Sequence, residues 1–134
     1  MAGTTFLADA NVLIALVVRD HVHHGAAMRW FRREKPTLYL CPFVEGALLR
    51  MLIQQGHRGT DGAALLARLY RDGRHSFVAD SMSYSETNLS SIVGHRQVTD
   101  TYLAALARSL GIQLATFDAG LREAHRDVVI AIPT

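Results

Sequence analysis

Phe6-Leu7-Ala8-Asp9-Ala10-Asn11-Val12-Leu13-Ile14-Ala15-Leu16-Val17-Val18 decides the fold. Phe6 to Ala8 reads as a short buried strand, and Val12 to Val18 is apolar enough for a buried helix that breaks near Arg19-Asp20. Between them stands Asp9, a carboxylate at the edge of apolar sequence, where a charge is costly unless something offsets it.

The same strand-then-helix order recurs outward from that stretch. His24 to Arg33 reads as a helix, Leu38 to Leu40 as a strand between Pro36 and Pro42, and Pro42 to about Gln55 as a helix with proline in its first turn and Gly56 past its end. Thr60-Asp61 reads as a cap for Ala63 to Arg71, which stops at Gly73. Phe77 to Ala79 reads as a third strand and Ser85 to Val93 as a helix. Val98 to Leu110, with Leu103, Leu106, Ala107 and Leu110 at helical spacing, is the clearest helix, closed by Gly111. Ile112 to Phe117 (strand), Ala119 to Ala124 (helix) and Val128 to Ile132 (strand) complete the order. Strands alternating with helices, without repeat or linker, predict a single α/β domain over 1–134: a three-layer sandwich with a mainly parallel central sheet flanked by helices.

Asp118 repeats the placement of Asp9, ending the run Leu114-Ala115-Thr116-Phe117. Glu45 has Leu48, Leu49 and Leu52 at i+3, i+4 and i+7, so it shares the face of that apolar trio. Asp100 stands similarly to Leu103, Ala104 and Ala107, in a first turn where the helix dipole favours negative charge. In open α/β sheets ligands bind beyond the carboxyl ends of the strands, so the four acids can converge there. Carboxylates without accompanying Cys or His suit Mg²⁺ or Mn²⁺, ions that assist phosphate chemistry. Taken singly, each acid could equally be an N-cap, a loop charge or an arginine's partner; four in one chain favour a shared cation.

Bulk properties fit without deciding. The chain has 134 residues, 49% of them hydrophobic, enough for one core. No apolar run approaches bilayer length. Met1-Ala2-Gly3-Thr4 shows no leader pattern, and the single cysteine, Cys41, allows no internal disulfide, so a cytoplasmic location is expected. Net charge is +2, but the bases are Lys35 and 13 arginines; setting the four acids aside leaves 8 of 12 acids against 14 bases. Arginine-rich surface around an acidic pocket fits a nucleic-acid substrate, although coding bias towards arginine would give the same composition.

At these residues the chain resembles a PIN domain, and more closely a VapC-type toxin ribonuclease. Leu7-Ala8-Asp9-Ala10-Asn11-Val12-Leu13 is similar to the family's opening D-x-N/S-hydrophobic motif, and Glu45 follows in a Pro-x-x-Glu helix start. Val98-Thr99-Asp100-Thr101-Tyr102-Leu103-Ala104-Ala105-Leu106-Ala107 is similar to its third motif, and Thr116-Phe117-Asp118 to its Thr/Ser-x-Asp fourth. The resemblance spans nearly the whole chain and no core motif residue is substituted. It implies an Mg²⁺ site of Asp9, Glu45, Asp100 and Asp118, with Asp9 and Asp100 the most direct ligands and Asn11 and Thr116 holding waters or orienting carboxylates. It further implies cleavage of RNA, often tRNA or ribosomal RNA, a homodimer, and neutralisation by a VapB-like antitoxin that blocks the acidic pocket.

Other residues invite attention. Asp80, in Phe77-Val78-Ala79-Asp80, is a fifth strand-end acid, but Ser81, Ser83 and Ser85 after it read equally as a turn, and it is left out of the site. His21, His23 and His24 could bind zinc, though adjacent histidines before a helix are more often solvated or capping. Cys41 reads as a small buried hydrophobe. Trp30, Phe31 and Tyr70 could stack on bases, but their spacing favours packing in the core or between copies. Arg32-Arg33 and Arg71 to Arg74 are charged helix ends. Three rivals remain: a phospho-acceptor signalling domain, which would want a lysine near the acids, whereas Lys35 lies far from them in sequence; a haloacid-dehalogenase-type phosphatase, which would want Asp where Asn11 stands; and a module that binds RNA or a partner without cutting.

Overall fold

The computed structural model describes residues 3–134; Met1 and Ala2, which open the segment read as leaderless, lie outside the described residues. The elements are β1 (Thr5–Ala8), α1 (Ala10–Val17), α2 (His24–Glu34), β2 (Thr37–Leu40), α3 (Pro42–Gln54), α4 (Gly59–Arg71), β3 (His75–Phe77), α5 (Val98–Leu110), β4 (Gln113–Thr116), α6 (Ala119–Ala124) and β5 (Val129–Ala131). All five strands form one sheet in the order β3-β2-β1-β4-β5, and every pairing is parallel. The α/β sandwich read from the sequence is therefore present, its sheet wholly rather than mainly parallel. No helix among the described residues is long and apolar enough to cross a membrane.

The order of the strands creates the site. From β1 the chain steps outward to β2 and β3, then returns across the sheet to β4 and β5. The reversal opens a crevice between the carboxyl ends of β1 and β4, where Leu7 pairs with Leu114 and Ala8 with Ala115. Both strands are buried on two faces, which is why they read as unbroken apolar runs. Val12, Leu13, Ile14 and Ala15 of α1 are all buried, so that helix sits inside the core rather than on it. Leu7, Leu13, Leu38, Leu48, Leu103 and Leu114 are each fully buried, and burial of such side chains contributes about 1.5–3 kcal/mol apiece. Trp30 belongs to this core, 2% exposed with its ring 5.2 Å from that of Phe6, which settles it as packing. Cys41 is fully buried too, and burial pushes its thiol up, as expected of a small hydrophobe.

Three expectations need correction. Ser85 to Val93 is not a helix: a single 3₁₀ turn over Tyr84–Glu86 is followed by turns, then a second 3₁₀ turn at His95–Gln97. Short polar side chains capture the backbone there. Ser83 Oγ accepts from the Ser85 N–H at 3.1 Å and Asn88 Oδ1 from the Ser90 N–H at 3.0 Å, bonds that compete with a helical ladder. The third strand lies two residues earlier than Phe77 to Ala79, paired as Leu38 with His75 and Leu40 with Phe77. Helix α4 starts at Gly59 rather than after Thr60-Asp61; Asp61 lies inside its first turn and reaches back to accept from the Arg58 N–H at 2.9 Å.

Candidate metal centre

Asp9 is the hinge of the site. Its backbone continues the β1–β4 ladder, donating to the Ala115 carbonyl at 3.0 Å, and its side chain caps α1 by accepting from the Ala10 N–H at 2.7 Å. The second carboxylate oxygen accepts from the Thr116 hydroxyl at 2.7 Å. Thr116 is fully buried at the end of β4, and its oxygen in turn accepts from the Asp118 N–H at 3.0 Å. Asp118 caps α6 by accepting from the Leu121 N–H at 3.1 Å. One chain of bonds thus ties both sides of the crevice together. The capping role open to each acid alone is real for Asp9 and Asp118, but capping occupies one oxygen and leaves the rest of the carboxylate for other work.

Asp100 approaches from the first turn of α5, half-buried, and shares with Asp118 a cleft also lined by Gln97, Thr101, Gly120 and His125. Its carboxyl is pushed up to about 6, first by burial and then by the charges of Asp9 and Asp118. Asp9 is also raised, chiefly by burial, against the lowering bonds from Thr116 and Ala10. The helix dipole at the start of α5 opposes the rise in Asp100 and loses. Ion pairs among the described residues join His75 to Asp72, Arg108 to Asp127 and Arg126 to Glu123; none neutralises Asp9, Asp100 or Asp118.

The remaining two residues read from the sequence are placed differently. Asn11 is exposed in the first turn of α1 and borders a second cleft, which Asp118 also lines. Glu45, half-buried in the first turn of α3, accepts from the Tyr70 hydroxyl at 2.7 Å, and its charge is not among those that raise Asp9 and Asp100. Tyr70 packs against the core, as the sequence reading expected, and its hydroxyl adds a bond to Glu45 that the reading did not foresee. It reaches Glu45 because α3 and α4 pack closely at Gly62, where any Cβ would collide with Leu49. Burial and the Glu45 carboxylate both push the Tyr70 phenol up, so it stays a donor. Asp80 is exposed in the strand-free segment after β3 and acts on Cys41 and Tyr102, not on the three clustered acids.

Could these residues hold a cation? Among the described residues no three His, Cys, Asp or Glu side chains close around one point as a ready cage. A Mg²⁺ ion needs no such cage, since it keeps several waters and takes one or two direct carboxylates plus substrate phosphate. The unneutralised charge that raises Asp100 supplies the attraction. The acids themselves offer only oxygen donors, the set that suits a hard cation.

The comparisons agree with this fold. The PIN domain pattern matches residues 6–127. Ribonuclease VapC29 of Mycobacterium tuberculosis is 45% identical over 130 residues, covering 97% of this chain and 98% of that protein. Ribonuclease VapC38 of the same organism is 36% identical over 121 residues, covering 86% of each. Among solved structures, the M. tuberculosis toxin VapC20, described as cleaving the sarcin-ricin loop, superposes with a TM-score of 0.70 at 20% identity, covering 96% of this chain and 99% of that one. VapBC2 from Rickettsia felis, bound to a fragment of its promoter DNA, gives 0.65 at 12% identity, covering 97% and 100%. The pattern over nearly the whole chain and the parallel sheet are those of a PIN domain. Within that class the chain belongs to the VapC ribonucleases, the toxins of VapBC toxin–antitoxin pairs.

Proposed function

We propose that residues 1–134 act as one nuclease domain, a Mg²⁺-dependent endoribonuclease, with Mn²⁺ able to substitute, that hydrolyses phosphodiester bonds of tRNA or ribosomal RNA in the cytoplasm. The observation that carries this reading is the trio Asp9, Asp100 and Asp118 at the β1–β4 crevice, acting on one another and without a cationic partner among the described residues. The family supports the substrate: the curated relatives are named ribonucleases.

In this reading Asp9, Asp100 and Asp118 hold the cation and Glu45 completes its surroundings. A bound divalent cation supplies neutralisation of the phosphate and a lowered pKa for an attacking water. Thr116 fixes the Asp9 carboxylate through its 2.7 Å bond, so that one orientation is presented to the ligand. Asn11, exposed beside Asp118, orients water or substrate, and Tyr70 fixes Glu45. A homodimer neutralised by a VapB-like antitoxin whose C-terminal segment blocks the acidic cleft completes the proposal. The VapBC structure similar to this chain supports an antitoxin partner of that kind.

The test is cleavage of total RNA by wild type and Asp9→Asn in Mg²⁺, Mn²⁺ and EDTA. Discrete fragments are expected from wild type alone, lost in EDTA, with Asp9→Asn folded but inactive. Equal cleavage by a clean Asp9→Asn preparation would remove Asp9 from the mechanism. No cleavage by folded, metal-loaded wild type freed of antitoxin would favour the non-cutting module.

A further inference from the structure

Three histidines around the start of α2 have separate tasks. His24 turns back and its Nδ1–H donates to the Ala15 carbonyl at 2.7 Å, pinning the turn to α1. His21 Nδ1 accepts from the His23 N–H at 3.0 Å, so the neutral ring carries its proton on Nε2. His23 lays its ring against Phe117, with centroids 4.8 Å apart and 28° between planes. Backbone bonds from His21 to Val18 and from His24 to His21 close the turn, so the arrangement is built before any ligand arrives. The His23–Phe117 stack forms a wall of the second cleft, with Val22, 84% exposed, at its rim and Asn11 and Asp118 on the side of the acids.

We propose that this cleft is a nucleobase subsite: the base of a nucleotide flanking the scissile phosphate packs against the aromatic wall that His23 and Phe117 form together, and His21 Nε2–H donates to an acceptor on the base edge. The inference rests on the ribonuclease reading above. Its chemistry is that of single-stranded RNA recognition, in which unstacked bases settle on aromatic faces. Three features favour a base over a bare phosphate. The wall is aromatic, the rim is a branched apolar side chain held in water, and the turn carries no arginine or lysine beyond Arg19 at its start. Asp118 lines both clefts, so a strand whose phosphate sits at the acids has an adjacent base within reach of the stack. A preformed platform also keeps the ordering cost of binding low.

The test uses a short RNA spanning a cleavage site mapped on total RNA, intact or with one base removed at each position flanking the cut. His23→Ala is expected to lower kcat/KM on the intact RNA about 10-fold or more, the effect of one lost base stack. His23→Phe keeps the stack and is expected to retain most of the activity. Removing the base at one flanking position should slow wild type by a similar factor and slow His23→Ala no further, because the interaction is already gone. Thermal melting checks that the variants fold. If His23→Ala is unfolded, His23→Leu, which fills the space without an aromatic face, takes its place in the same comparison. Equal rates on all RNAs, or independent, additive losses, would overturn the subsite while leaving the nuclease standing. A wild type that cuts no RNA overturns both.

Discussion

At the C-terminal end of α5, Arg108 grips Asp127 through two bonds of 2.7 and 2.9 Å, and the guanidinium holds that carboxyl below its ordinary range. At the N-terminal end of the same helix Asp100 meets only burial and other carboxylates, and its carboxyl rises to about 6. In a chain with 14 bases an arginine partner at Asp100 was available to selection. The contrast separates an acid neutralised at the surface from one left without a cationic partner, which is the acid proposed to serve a ligand. A carboxylate left unneutralised among its own kind is unfavourable in the empty protein and becomes favourable only when a cation arrives.

Asp100→Asn probes that contrast with the largest expected effect. Cleavage should fall about 10³-fold or more, because a side chain proposed to hold the cation is lost. Stability should move the other way. The unfolded carboxyl titrates near 3.8 and the folded one near 6, so between these values the folded state keeps a proton that the unfolded state has lost. Wild-type stability therefore falls as pH rises through that window, and the loss persists above it. In EDTA at neutral pH, Asp100→Asn should be more stable than wild type by about 1–2 kcal/mol, a figure already reduced because the group is half exposed. Below pH 4 the difference should vanish, and saturating Mg²⁺ should reverse it by stabilising wild type alone. Chemical denaturation across pH reads all three. A variant less stable than wild type in EDTA at neutral pH would mean that Asp100 is a structural acid after all.

Thr116→Val comes next. It leaves an Asp9 oxygen and the Asp118 N–H without their shared partner in a fully buried position, at a cost of about 1–3 kcal/mol. It also removes one of the bonds that lower Asp9, so the Asp9 carboxyl should titrate higher still. Tyr70→Phe is milder. The ring stays, the fold should melt as before, and only the donor to Glu45 is lost. If Glu45 completes the surroundings of the cation, the Mg²⁺ needed for half-maximal cleavage should rise about 10-fold with little change at saturation. An unchanged Mg²⁺ requirement would leave Glu45 outside the site, as its separation from the coupled trio already invites.

Some of this was legible in the chain and some was not, for physical reasons. Asp9 and Asp118 could be read because a charge ending an apolar strand is a local signal, and strand ends converge in a parallel sheet. Asp100 could be read because Val98 to Leu110 is a strongly periodic helix closed by Gly111, whose φ of 69° supplies the left-handed cap. The segment from Ser85 to Val93 misled because its spacing allowed a helix while its serines and Asn88 offered the backbone other partners. The bond between Tyr70 and Glu45 crosses 25 residues and depends on how closely α4 settles at Gly62, which no local pattern encodes. The stack of His23 on Phe117 is hidden for the same reason: each residue sits in an ordinary local context, and only the tertiary fold brings them together.

The smallest effect belongs to the other end of α5. Arg108 also donates to His125 Nδ1 at 2.9 Å, and His125 is lowered first by burial and second by the charge of Arg108. Arg108→Ala should therefore let His125 titrate nearer its ordinary value, visible in the proton resonances of its ring. A histidine held low in the folded state costs stability as pH drops through its unfolded pKa, so the variant should lose less stability on acidification than wild type. At neutral pH the exposed ion pair itself is worth no more than about 1 kcal/mol. Cleavage should hardly change, although His125 lines the same cleft as Asp100 and Asp118. If instead Arg108→Ala abolished cleavage in a folded protein, the two ends of α5 would not be independent. The ion pair would then be reaching the acids through His125, and the division between surface charge and ligand charge would have to be redrawn along the helix.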